Sequence, residues 1–383
     1  KKPIMLSINK LLIDYSPGQT RIALFSGDKL IEIIFDSPLL PSVGSVYIGR
    51  VIKELKNING VFLDLGFEKL GFLSNSKRNF FEGQLIAAKI IQPPRRGKGA
   101  KLSFEDLNKI VREDHDFLGK KLPYQVSAPE SSILWCYKNY KDTIEEIIIT
   151  SYKPLSKVTK DFPQAFREII VSTKDDIFFN YGVDEKIETL SSPVVPLSGG
   201  GKITIDEAEA FTAIDIDSGG LSAKEANFLA LEKIASELRL RSIGGSIIID
   251  IIPGYDPKEL SDYFSKFLRL DPVKTKINGF TPGGKLEINR RRIRPSVSES
   301  LFQDNNVKSF LPKIIALNSL RKCINHSVLH SSLEINIYAH RKVIQTLNKE
   351  LKFAVDQAES ILKGKIRLKK WDKTDISEFS IVN

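Results

Sequence analysis

The segment "AFTAIDIDSGGLSAKEANFLALEKIASELRLRSIGGSIIIDIIPG", residues 210–254, constrains the fold more than any other part of the chain. Side chains alternate along a strand, so Phe211, Ala213, Asp215 and Asp217 fall on one face and Thr212, Ile214 and Ile216 on the other. A helix should follow. Ser222 and Glu225 make a capping-box pattern, Leu231, Ile234, Ala235 and Leu238 share one helical face, and Gly244 is the expected left-handed stop. The run "SIIIDIIPG" then has the β-branched, apolar character of a fully buried strand. A strand, helix, strand unit of this kind sets its two strands parallel and commonly adjacent, with ligand-binding groups at their carboxyl ends. Asp215, Asp217 and Asp250 are therefore expected to converge.

At an effective dielectric of about 20, two carboxylates ~4 Å apart repel by about 4 kcal/mol, so something positive should sit between them. A hard divalent cation such as Mg²⁺ accepts one or two carboxylates, keeps several waters and bridges to substrate phosphate. It would polarise a phosphodiester and activate a water. The plainer alternative is turn chemistry: "DSGG" suits a turn, and an aspartate at a strand end can order it or cap the next helix. Asp206 and Glu207 are read in that plainer way.

A chain of 383 residues, 42% hydrophobic and 27% charged, has enough apolar content for more than one core. Its formal net charge of +10 favours a polyanionic partner, nucleic acid or an acidic membrane surface. Cys136 and Cys323 fit no C-x-x-C spacing and could form at most one disulfide, which points to a reducing cytoplasm and away from a thiolate zinc site. The opening apolar stretch is broken by Asn9 and Lys10, which disfavours a secretory signal, and no apolar run approaches the ~20 residues of a transmembrane segment. The sole methionine is Met5, so the initiation point is not fixed.

Residues 4–36 read as an antiparallel system turning at Ser26-Gly27-Asp28. From Ser42 to Phe104, short strands punctuated by Gly44, Gly60, Gly66, Gly71 and Gly83 predict a small closed barrel of OB type. It would display Tyr47, Phe62 and Phe72 among Arg50, Lys98, Lys101 and the basic loop "PPRRGKGAK". Bases of single-stranded nucleic acid stack on aromatic faces for roughly 1–3 kcal/mol each while cations hold the phosphates. The competing reading makes Phe62 and Phe72 core residues. Residues 107–190 mix helices with strands at "EEIIITS" and "REIIVST", and "SSPVVPLSGGG" reads as a linker. Arg290, Arg291, Arg292 and Arg294 crowd one short span, either as solvated surface or as phosphate contacts. The chain has 4 histidines without ligand spacing, and no P-loop, nucleophile elbow or dinucleotide fingerprint.

On these residues the chain resembles the ribonuclease E/ribonuclease G family of endoribonucleases. "LSGGGKITIDEAEAFTAIDIDS", "LEKIASELRLRSIGGSIIIDII" and "KLEINRRRIRPSVSES" are similar to the family's catalytic motifs, in the family's order. The resemblance implies an α/β multidomain fold: an RNase H-like part (1–38 and 107–192) with an inserted OB barrel (39–106), a DNase I-like α/β catalytic part (193–303) and a small α/β C-terminal domain (304–383). It implies Mg²⁺-dependent hydrolysis of single-stranded RNA in RNA processing or decay, with Mn²⁺ able to substitute, leaving 5′-phosphate and 3′-hydroxyl ends. Asp215 and Asp250 match the family's metal-binding aspartates, and Asp217 stands where the family has asparagine, to orient a metal-bound water or add a third charge. Phe62, Phe72 and Lys98 match its RNA-contacting positions; Arg290, Arg292 and Arg294 are the further candidate phosphate contacts.

The chain departs from the family pattern in three places. The subdomain that senses a 5′-monophosphate is missing between Phe104 and Pro123, and the cysteine pair of the intersubunit zinc link is absent, so no zinc is expected and a homo-oligomer would form through the small domain. The loop "GGLSAKEAN" is shorter than the family's basic loop, and "TPGG" replaces a basic turn before "KLEI". The alternative reading is a catalytically reduced paralogue that binds RNA or a ribosomal particle.

Overall fold

The computed structural model describes residues 6–38, 41–74, 78–95, 97–107, 110, 120–152, 155–160, 162–303, 309–330, 334–371 and 375–383. The chain divides into two compact units, the first from residues 39–135 and 194–296, the second from 6–38, 136–193 and 297–383. In chain order the strands are β1 (Lys10–Ser16), β2 (Gln19–Ser26), β3 (Lys29–Asp36), β4 (Val46–Leu55), β5 (Gly60–Asp64), β6 (Gly71–Ser74), β7 (Leu85–Gln92), β8 (Lys101–Glu105), β9 (Tyr124–Ser127), β10 (Glu146–Thr150), β11 (Ile170–Thr173), β12 (Val194–Pro196), β13 (Lys202–Glu207), β14 (Thr212–Asp217), β15 (Gly245–Asp250), β16 (Thr275–Phe280), β17 (Leu286–Arg290), β18 (Glu334–Ala339), β19 (Lys365–Lys370) and β20 (Phe379–Val382).

In the first unit, β4 to β8 close on themselves in the order β4, β5, β6, β8, β7 and back to β4, with β9 added beside β4. The barrel is filled by Val51, Val61, Leu63, Leu73, Ile86, Ile90 and Leu102, the inward members of alternating strands. Closure demands a close crossing at Gly49, where a Cβ would stand 2.4 Å from the carbonyl oxygen of Asp64.

The other half of this unit is a sheet in the order β12-β13-β14-β15-β17-β16. Here β14 and β15 are parallel, joined by the helix Ala223–Leu240, as the sequence pattern predicts. Ile203, Ile205, Ile214, Ile216, Ile247, Ile249 and Ile288 pack on Leu231, Ile234 and Leu238 of that helix and on Leu260 and Phe264 of the helix Pro257–Leu268. The opposite face of the same strands carries Asp215, Asp217 and Asp250, all exposed.

Two local expectations change. The expected linker contains strand β12, because Val194 and Val195 pair with Thr204 and Ile203 across a turn in which Gly199, Gly200 and Gly201 all have positive φ. The left-handed stop of the long helix is Ser242 (φ 53), not Gly244: the Ser242 N–H donates to Arg239 O and the Ile243 N–H to Leu238 O, a Schellman closure. Gly244 serves another end, since a Cβ there would press 2.8 Å from Cγ of Arg292.

The second unit holds a sheet ordered β11-β10-β1-β2-β3 and a small sheet ordered β19-β18-β20. The first joins an antiparallel β1, β2, β3 meander, turning at Gly27 and Asp28, to the parallel strands β10 and β11. The second is packed by the helices Pro312–His330, Arg341–Asn348 and Lys352–Leu362. Asp14 and Arg21 form a buried ion pair at 2.7 Å, and Arg21 also reaches Asp184 at 2.6 Å.

Candidate active site and nucleic-acid interface

Parallel pairing of β14 with β15 sets Asp215 opposite Asp250 in register. Directly paired residues point to the same side of a sheet, so both carboxylates project from the open face. Asn227 fixes the end of β15. Wholly buried on the long helix, its side-chain amide donates to Ile252 O (2.8 Å) and its carbonyl accepts the Ile252 N–H (3.1 Å). The chain just beyond Asp250 is thereby clamped to the helix that follows Asp215.

A positive partner is present, and it is a side chain. Lys285 Nζ lies 2.5 Å from Asp250 Oδ2, with both side chains about half exposed. Ile249 pairs with Leu286 at the start of β17, which puts Lys285, the residue just before that strand, level with Asp250. Asp217 departs from the expected convergence. Its Oδ1 accepts the Gly219 N–H at 3.0 Å and its Oδ2 stands 3.5 Å from Lys202 Nζ, the turn-ordering role that "DSGG" offered as the alternative. Among the described residues no three His, Cys, Asp or Glu side chains gather into a metal-holding group. What the strand ends bring together is a carboxylate pair.

At the other end of β15 lies a groove of about 1630 Å³ between the barrel and the α/β layer of the same unit. Phe62 and Phe72 line it, and they are cross-strand partners whose rings meet edge to face at 5.7 Å, outside the barrel's core cluster. The competing core reading of these two residues therefore does not hold. Lys98, Lys101, Lys276, Arg291 and Arg292 also line the groove. Lys98 pairs with Glu209 at 3.1 Å, an exposed contact of little strength. Tyr47 belongs elsewhere: it packs on the barrel core, edge to face with Phe67 at 5.5 Å. Arg96 of the basic loop lies outside the described residues.

The arginine cluster separates into different duties. Arg290, expected as a phosphate contact, is 3% exposed and its donors are taken up inside the fold: Nε and Nη2 donate to Asp271 Oδ2 at 3.0 and 2.8 Å, and Nη1 donates to Ile243 O at 2.7 Å. Strand alternation explains it, because Arg290 shares the helix-facing side with Ile288 and Leu286. Arg294 lies over the Trp135 ring at 4.6 Å. Arg291 is exposed and Arg292 half-buried at the groove. Sequence reading missed Arg95, whose guanidinium donates to Ala208 O (2.7 Å) and Ala210 O (3.3 Å) and so ties the barrel loop to the turn between β13 and β14. It missed Lys285, Lys202 and Asn227 as well; their contacts arise from strand register and helix packing, which no local motif announces.

Comparison with known proteins narrows this chemistry. Residues 105–293 match the model of the "Ribonuclease E/G family". Over 97% of its length the chain is also similar to "Ribonuclease G" of Haemophilus influenzae, 25% identical and covering 99% of that protein. The chain belongs to the ribonuclease E/G family. "Ribonuclease G" of Salmonella typhimurium is 24% identical with the same coverage, and a chloroplastic "Ribonuclease E/G-like protein" of Arabidopsis thaliana is 32% identical over 42% of this chain and 18% of its own length. The alignment with the Haemophilus influenzae relative spans 493 positions, more than the 383 residues of this family member, so that relative has stretches without a counterpart here. The gap expected between Phe104 and Pro123 falls largely on residues 108–109 and 111–119, outside the described residues.

Proposed function

We propose that this member of the ribonuclease E/G family is a Mg²⁺-dependent endoribonuclease that hydrolyses single-stranded RNA in processing or decay. Endoribonuclease activity comes with family membership. The observation that carries the finer reading is the register match of Asp215 with Asp250 on an open sheet face, with a cation already seated against Asp250. The Lys285 ammonium is a stand-in for positive charge at that position, and two carboxylates suit a hard cation that keeps most of its waters. Asp215 and Asp250 would hold the metal, which supplies polarisation of the phosphodiester and activation of a water. Mn²⁺ would serve in its place.

Phe62 and Phe72 give bases a stacking platform, and Lys98, Arg292 and Arg294 give the backbone positive charge. The closed barrel supports an OB-type assignment for residues 39–106. The order β3-β2-β1-β10-β11, antiparallel then parallel, supports an RNase H-like one for the segment enclosing it. A DNase I-like assignment for 193–303, a cytoplasmic location and oligomerisation through the C-terminal sheet belong to the same proposal. Among the described residues no helix is long and apolar enough to cross a membrane.

The test is cleavage of an internally labelled RNA with and without EDTA. Asp215→Asn or Asp250→Asn should abolish cutting and leave RNA affinity unchanged or higher; undiminished cutting by either variant defeats the proposal. A second reading, an RNA-binding paralogue that does not cut, draws on the tie of Asp217 to Lys202 and of Asp250 to Lys285. Retardation of RNA on a gel without cleavage across Mg²⁺ and Mn²⁺ would establish it.

A further inference from the structure

Lys285 is held in place by its surroundings. Its backbone closes the turn "TPGG": its N–H donates to Thr281 Oγ1 (3.1 Å), its carbonyl accepts the Thr281 N–H (2.8 Å), and the Gly284 N–H donates to Thr281 O (2.9 Å). Tyr255 pins the turn from outside, its hydroxyl donating to Gly284 O at 2.8 Å while its ring stacks on Phe280 at 5.1 Å. The lysine thus projects from a fixed backbone point level with Asp250, and only its flexible stem is free to move. Its ion pair with Asp250 is half exposed to water, a setting in which such pairs are weak and easily exchanged.

Resting on the metal-dependent reading above, we propose that Lys285 occupies the cation position at Asp250 in the metal-free protein, yields that carboxylate to the divalent ion, and then places its ammonium on a non-bridging oxygen of the bound phosphodiester. The chemistry favours this exchange. A dication outcompetes an ammonium for a carboxylate pair, and Lys285 lies on the Asp250 side of the pair, while among the described residues no ion pair holds Asp215. Once displaced, a four-carbon stem on a rigid turn leaves the charge beside the acids, where the phosphate must come. The ammonium therefore competes with metal when RNA is absent and cooperates with it when RNA is present.

The experiment is a Mn²⁺ binding isotherm on the full chain without RNA, for the natural protein, Lys285→Met, Lys285→Arg and Asp250→Asn. Removing the competing charge should tighten Mn²⁺ binding about two- to fivefold in Lys285→Met, whereas Lys285→Arg stays near the natural value and Asp250→Asn loses uptake. At saturating Mn²⁺, single-turnover cleavage by Lys285→Met should fall about tenfold and be restored in good part by Lys285→Arg. Equal or weaker Mn²⁺ binding by Lys285→Met overturns the exchange, and undiminished cleavage at saturating metal overturns the phosphate contact. Absence of Mn²⁺ uptake by every protein, the natural one included, instead overturns the metal-dependent reading on which both rest.

Discussion

Arg290 and Arg291 are neighbours in sequence with opposite surroundings, and they show how far a residue's role depends on which way a strand turns it. Arg290 closes a buried ion pair with Asp271, 4% and 8% exposed at the side chains, and breaking such a pair leaves an uncompensated charge inside. Arg290→Ala should lower unfolding free energy by about 3–5 kcal/mol in urea titration. Arg291→Ala should leave stability within about 0.5 kcal/mol and weaken RNA binding. A reversal of that pattern would return Arg290 to the phosphate-binding set. In the second unit, Tyr152 donates from its hydroxyl to Asn325 Oδ1 at 2.8 Å; burial first, and then the carboxylates of Asp14, Asp176 and Asp175, push its phenol up to about 12. The unfolded phenol releases its proton near its ordinary value of 10.0 while the folded one retains it, so the unfolded state binds fewer protons in between. The Tyr152 contribution is thus complete below about pH 10 and is lost as pH rises toward 12. Urea midpoints across that window should fall less steeply in Tyr152→Phe than in the natural protein.

Among the elements, the edge-to-face pair of β5 and β6 is the most exposed to test. Phe62 and Phe72 stand outside the core that Val61, Leu63 and Leu73 fill from the same two strands. Truncation of either to alanine should cost roughly 1–3 kcal/mol of single-stranded RNA affinity by filter binding. The thermal midpoint should move little, whereas a large drop would reinstate the core reading. These elements were legible in sequence because alternation and glycine spacing are local. So was the long helix, whose Ser222 cap accepts the Glu225 N–H at 3.2 Å. Its C-terminal stop lies two residues before the glycine that the sequence pattern suggests, because Ser242 takes the left-handed position and Gly244 is instead kept small by the close approach of Arg292, a tertiary contact no local pattern shows.

For the whole molecule, a net charge of +10 and a groove lined by Lys98, Lys101, Lys276, Arg291 and Arg292 predict RNA binding that weakens with salt. The logarithm of the affinity should fall against the logarithm of salt with a slope near −0.7 per phosphate neutralised, and a flat response would remove the groove as the binding surface. The alternating apolar pattern, the cap and the acids at strand ends were determined by sequence, since each depends on residues within a few positions of one another, and the order of the family's motifs is read directly along the chain. Tertiary structure alone decided which of three aspartates form a pair, that a lysine 35 residues beyond Asp250 meets it, and that Arg290 turns inward while Arg291 faces out. Strand register and helix packing join residues distant along the chain, and a side chain's charge acquires its role only from the partners that this folding places beside it.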